Sequence, residues 1–148
     1  MSSEKFTLLH AAVYFMLIKD GKILLVRRFN TGWQDGKYSL IAGHLERNET
    51  VKQAMIREAK EEAGINLNPK DLHIVHTMHR KSKDDLEYID FFLSCDTWQG
   101  KPRITEHDKC DDMQWFSLKN LPEDTLRHIR KAIESYSNKI SFSELGFE

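Results

Sequence analysis

From Leu8 to Ile18 the chain is almost continuously apolar and rich in Val, Tyr, Phe and Ile, as in a strand covered on both faces. Lys19-Asp20-Gly21-Lys22 interrupts the run. Asp-Gly between apolar stretches predicts a hairpin, with a returning strand from Lys22 to Phe29. A polar loop, Asn30 to Lys37, leads into a short apolar strand from Tyr38 to Ala42. The period then changes. At about 100° per residue, Val51, Met55, Ile56, Ala59 and Ala63 fall on one arc, widened by Ala54 at the first turns. The ends of this helix are also signalled. Thr50 is the N-cap with Gln53 as its capping-box partner, Gly64 can take the left-handed conformation beyond Ala63, and Pro69 blocks continuation.

Downstream, Leu72 to Arg80 and Glu87 to Trp98 read as an antiparallel pair joined by the polar turn Lys81 to Asp85. The basic residues His79, Arg80, Lys81 and Lys83 are offset by Asp84 and Asp85 and have no aromatic stacking platform, so a solvated hairpin tip is expected. An acidic loop from Arg103 to Asp112 precedes a strand from Met113 to Leu118. A final helix is expected from about Glu123 to Tyr136, with Leu126, Ile129, Ile133 and Tyr136 on its buried face. Ser137 to Glu148 has no clear period. Strands around one central helix, with a second helix near the end and no repeats, predict an α+β fold, and 148 residues predict one domain over 1–148.

Charge and cysteine content narrow the partners. Lys plus Arg number 22 against 23 Asp plus Glu, a net charge of -1, which provides no global field for nucleic acid or a membrane surface. Cys95 and Cys110 form neither a disulfide framework nor a metal-binding spacing, so a reducing cytoplasmic setting with inert thiols is expected. The apolar run Ala11 to Ile18 is too short to cross a bilayer. The partners expected are therefore a small molecule and, at most, a second copy of the chain.

The concentrated chemistry lies on the central helix. Glu58, Glu61 and Glu62 stand at i, i+3 and i+4, on an arc bordering the buried stripe. Such a comb is either a solvated face paired with Arg57, or a set of crowded carboxylates answered by a hard divalent cation such as Mg²⁺. The spacing of Gly43, Glu49, Arg57, Glu58, Ala59, Glu61, Glu62, Gly64 and Ile65 resembles the signature of the Nudix hydrolase family at every specified position. The resemblance implies an α/β/α sandwich around a mixed β-sheet. It also implies a MutT-like, metal-dependent phosphoanhydride hydrolase acting on a nucleoside diphosphate linked to another group. Position by position, it implies Mg²⁺ or Mn²⁺ at Glu58, Glu61 and Glu62 with the Gly43 carbonyl, a catalytic contribution from Glu61 and Glu62, an orienting role for Arg57 and an outer-shell role for Glu49. Where family members often have Pro-Gly-Gly, this chain has Ile41-Ala42-Gly43.

Outside the signature, Arg28 is a candidate for phosphate binding, and Ser39 and His44 for contacts to substrate. Glu106 and Asp111 are both candidates for a further metal ligand or general base, a choice the sequence leaves open. The substrate expected first is a nucleoside triphosphate, cleaved to monophosphate and pyrophosphate. The alternatives are ADP-ribose or a nucleotide-sugar, and a nucleotide-sensing module without turnover. The association state expected is monomer or homodimer.

Overall fold

The computed structural model describes residues 5–148, so the first four positions of the expected domain lie outside the described residues. The chain forms β1 (Leu9–Phe15), β2 (Ile18–Lys19), β3 (Lys22–Arg28), β4 (Tyr38–Ser39), β5 (Ile41–His44), α1 (Val51–Ala63), a 3₁₀ turn (Pro69–Asp71), β6 (Leu72–Lys81), β7 (Glu87–Cys95), β8 (Cys110–Ser117), α2 (Arg127–Ser137) and β9 (Phe142–Leu145). The expected α+β class holds. A five-stranded sheet runs in the order β5-β1-β7-β6-β9, mixed because β1 with β7 and β6 with β9 are parallel. In a second sheet β3 is central, pairing with β2, β4 and β8.

Period-2 alternation along β1 sorts its side chains onto two cores. Val13 and Phe15 point to one face, where α1 brings Met55, Ala59 and Ala63. Ala12 and Tyr14 point to the other, where α2 brings Ile129, Ala132 and Ile133 against Phe92 and Met78. The sheet is therefore buried on both sides between two helices, the sandwich that the family resemblance implies.

Two apolar runs that read as single strands are each divided between the two sheets. β1 ends at Phe15 and pairs with β7 and β5, whereas the Asp20-Gly21 hairpin, with both residues at positive φ, joins only the short β2 to β3. The chain changes sheets at Met16 and Leu17: the amide of Met16 donates to Leu93 O at 2.7 Å, while Leu17 O accepts from Leu24 at 3.0 Å. Tyr38 to Ala42 divides similarly at Leu40, with β4 on β3 and β5 on β1. The last helix begins at Arg127 rather than near Glu123, because the preceding residues pair with Tyr38, which donates to Asp124 O and accepts from Leu126 N. The tail without a period supplies β9, an edge strand parallel to β6.

Candidate active site

The ends of α1 are built as the sequence predicts. The Thr50 hydroxyl accepts from Gln53 N at 3.1 Å, Gln53 Oε1 accepts from Thr50 N at 2.9 Å, and Gly64 closes the helix at φ 68. This fixes the register that brings one flank of α1 against β5. At the point of closest approach the absence of a side chain is required: a Cβ on Gly43 would overlap the carboxylate of Glu58.

Arg57 organises the carboxylates. Its Nε and Nη2 bind Glu49 at 2.6 and 3.0 Å, Nη1 binds Glu58 at 2.7 Å and reaches Glu61 at 3.4 Å, and Nη2 also donates to His44 O at 3.1 Å. Glu49 is held down to about pKa 2 by that guanidinium. Glu58 moves the other way, upward, because burial and the nearby charges of Glu61 and Glu106 outweigh Arg57. Glu62 is pushed up to about 8 by burial, reinforced by Glu58 and Glu106, although it accepts from Ala42 N at 2.9 Å. One guanidinium thus faces more carboxylate charge than it can neutralise.

The acidic loop after β7 completes this end of the molecule. It is fastened to the end of α1 by a hydrogen bond from Arg103 N to Ala63 O at 3.1 Å and by another from the Thr105 hydroxyl to Glu61 O. Glu106 lines a cavity of about 510 Å³ together with Glu62, Arg28, Ser39, Ala42 and Lys109. Asp111 does not line it. Both of its oxygens are taken by Arg27, at 2.7 and 3.2 Å, on the flank of the second sheet. The structure therefore groups Glu106 with the α1 glutamates and separates Asp111 from them.

A second chamber, of about 330 Å³, shares Arg28, Ser39 and Ala42 with the first and lies on the α2 face of the large sheet. Gly43 and His44 border it, and Trp33, Tyr88, Tyr14 and His128 provide aromatic walls. Arg28 stands at the junction, its Nε donating to Trp33 O at 2.8 Å and its guanidinium 5.0 Å from the Trp33 ring. His44 lies 6.1 Å from Tyr88, ring to ring.

The expected solvated hairpin tip holds at Lys83, Asp84 and Asp85, which are exposed, but not at Arg80, which forms the floor of this chamber. Arg80 is 7% exposed and forms a bidentate pair with Asp90, itself fully buried, at 2.7 and 3.3 Å. Arg80, Asp90, Tyr88, Lys109 and His128 carried no site role in the sequence. The available signal was Asp90, a lone charge inside the run Tyr88-Ile89-Asp90-Phe91-Phe92-Leu93, which demands a buried partner. Both thiols are raised by burial, Cys95 to about 11, as expected of inert cysteines.

Among the described residues no three His, Cys, Asp or Glu side chains converge into a ready-made cation cage. The donor set nonetheless fits a hard divalent ion. Glu58 and Glu62 are carboxylates raised by burial and mutual repulsion, and Glu58 lies against the Gly43 backbone with no Cβ intervening. No helix among the described residues is long and apolar enough to cross a membrane.

The NUDIX domain model matches residues 8–136. An ADP-ribose pyrophosphatase of Methanocaldococcus jannaschii is 34% identical over 86% of this chain and 74% of its own length. An NAD-capped RNA hydrolase, NudC, of Vibrio atlanticus is 31% identical over 70% of this chain but only 36% of its own length. The crystal structure of a MutT NUDIX hydrolase from Burkholderia pseudomallei superposes with a TM-score of 0.79 at 25% identity, over 86% of this chain and 97% of that one. The chain belongs to the Nudix hydrolase family.

Proposed function

We propose that one domain, residues 1–148, hydrolyses the diphosphate of a nucleotide held across both chambers, with a nucleoside triphosphate cleaved to monophosphate and pyrophosphate as the first substrate. The observation that carries this reading is the shared lining of Arg28, Ser39 and Ala42, which joins a carboxylate-rich cavity to an aromatic one. Their chemistry divides the substrate. Aromatic walls suit a base, and Arg28 and Lys109 suit the phosphates between base and carboxylates.

Glu58, Glu61 and Glu62, with the Gly43 carbonyl, would hold Mg²⁺ or Mn²⁺, which when bound neutralises diphosphate charge and acidifies water. The chain's own residues do the rest. Arg57 fixes the Glu58 carboxylate, Arg28 draws charge from the diphosphate, and Glu106 takes the proton of the attacking water as the anhydride bond breaks. Ser39 and His44 border the nucleoside. A second reading, ADP-ribose as substrate, is favoured by the similarity to the archaeal ADP-ribose pyrophosphatase.

The test is release of phosphate or pyrophosphate with Mg²⁺ over nucleoside triphosphates, ADP-ribose, nucleotide-sugars and dinucleoside polyphosphates, with Glu62→Gln as control. Turnover of one class, lost in the control, establishes the activity and selects the substrate. Silence across the panel from a folded protein that still binds nucleotides would replace the reading with a sensing module.

A further inference from the structure

The floor of the aromatic chamber is a fixed array of hydrogen-bond donors. Arg80 is immobilised on several sides: Nε and Nη2 hold Asp90, Nη2 also donates to Tyr14 OH at 3.4 Å, and the guanidinium lies 4.2 Å from the Tyr88 ring. Register explains the arrangement, because Arg80 on β6 stands opposite Tyr88 on β7, while Asp90 stands opposite Met78 and beside Ala12 of β1. Nη1 has no hydrogen-bond partner among the described residues, and Arg80 lines the chamber. Burial is the largest influence and opposes the charge of this side chain, but the Asp90 hydrogen bond and the charges of Tyr14, Asp90 and Tyr88 together outweigh it, so the guanidinium stays protonated.

His128 adds a second donor. Tyr14 OH meets Arg80 Nη2, which can only donate, and His128 Nε2 at 3.3 Å. The acceptor for the tyrosine's own proton is therefore Nε2, which places the imidazole proton on Nδ1. Burial and the charges of Arg80 and Arg28 push the His128 pKa down to about 3, so the ring is neutral and the tautomer is retained. Nδ1 has no partner among the described residues, and His128 also lines the chamber. The carboxylate among the lining residues, Asp84, is on the exposed hairpin tip, with Oδ1 engaged by the Ser82 hydroxyl and Leu86 N.

We propose that Arg80 and His128 make the chamber selective for bases that present an acceptor edge, so that keto purines such as hypoxanthine and guanine are favoured over adenine. Nη1, the guanidinium nitrogen left free, can donate to the O6 of a keto purine, whereas the 6-amino group of adenine sets donor against donor. A buried donor left facing another donor loses its hydration without replacement, and this makes the discrimination steep. The proposal rests on the hydrolase reading in placing a base here, and it names the class of nucleotide.

Inosine and adenosine differ only at the 6-position and in the proton on N1, and they provide the test. In one arm kcat/KM is measured for ITP and ATP with Mg²⁺. In the other, calorimetry in EDTA measures binding of IMP and AMP. The inosine nucleotide is expected to be favoured by about tenfold in both arms, the scale of a single hydrogen bond from a charged donor. Arg80→Lys should bring the ratio close to one, and His128→Phe should reduce it by roughly threefold. A merely structural role for either residue would lower both nucleotides together and leave the ratio unmoved. The wild-type ratio requires no variant to fold, and His128→Phe keeps the Arg80–Asp90 pair intact. A wild-type ratio below about two, a preference for adenine, or an inosine preference that survives both substitutions overturns the proposal. No turnover of either triphosphate with IMP still preferred overturns the triphosphate as substrate and leaves the base preference standing.

Discussion

Arg57 and Arg80 are both arginines that hold carboxylates, and they sit on opposite sides of the same sheet with opposite consequences. Arg57 is partly exposed and outnumbered, binding Glu49 and Glu58 and reaching Glu61, with Glu46 at 3.5 Å. Arg80 is buried and balanced by Asp90 alone. A surplus of carboxylate at the mouth of a cavity is a demand for positive charge, which a metal or a substrate clamp can meet. A balanced buried pair makes no such demand. What Arg80 retains is directional donor capacity on a rigid side chain, which suits recognition. Charge balance, more than the presence of arginine and glutamate, separates the end proposed to react from the end proposed to read the base.

The sharpest way to break the comparison is to remove one carboxylate from each side. On the α1 side, Glu62→Gln should lower nucleotide hydrolysis about 10³-fold, within the range for losing a positioned acid, base or charge in a reacting site. Its melting temperature should be unchanged or higher, because burial and the neighbouring carboxylates already disfavour the charge of Glu62. Wild-type turnover in that variant would remove Glu62 from the site. On the α2 side, Asp90→Ala leaves a buried guanidinium without its partner and should cost about 3–5 kcal/mol in urea unfolding. The pair replaced together, Arg80→Met with Asp90→Leu, should recover most of that loss. A cost below about 1 kcal/mol for Asp90→Ala would mean that Arg80 reaches solvent as a surface pair does.

Acid sharpens the contrast further, because the α2 side contains a histidine held neutral. The folded pKa of His128 is about 3 against an ordinary 6.5, so the unfolded chain binds more protons between those values. The contribution of His128 is therefore undiminished above pH 6.5 and falls as the pH drops toward 3, by up to about 1.4 kcal/mol per pH unit. Unfolding curves of wild type and His128→Phe at matched pH isolate this contribution. The difference between them should shift against wild type on going from pH 7 to pH 4.5, and parallel curves would show that the buried ring is protonated after all.

The α1 side was legible in the sequence because its signals are local. Thr50, Gln53, Gly64 and the spacing of the glutamates lie within one helix and its caps, where periodicity and capping rules act over a few residues. The α2 side was not. Alternation shows that Ala12, Tyr14, Asp90 and Arg80 lie on one face of their strands, but not that β1 and β7 are parallel neighbours, which places those residues together. The sheet change at Met16 and Leu17 was hidden for the same reason: an apolar run looks alike whether it continues in one sheet or passes into the next. β9 escaped because a short edge strand needs only a free strand edge, here that of β6, and carries little period of its own.

The smallest effect tests a third arginine pair, Arg27 with Asp111, which is exposed on both partners at 38% and 34%. An exposed pair of this kind contributes roughly 0–1 kcal/mol, so Asp111→Asn should scarcely alter stability. Asp111 also lies outside the cavity that Glu62 and Glu106 line, so turnover should change by no more than about threefold, the scale of an indirect charge effect. Glu106→Gln is the matched control, and as the proposed base it should lose about 10²–10⁴-fold. Steady-state kinetics on the two variants, prepared side by side, decides between carboxylates that are neighbours in sequence. A large loss for Asp111→Asn with little change for Glu106→Gln would require Asp111 to leave Arg27 and swing into the cavity when substrate binds, and would transfer the role of base to it.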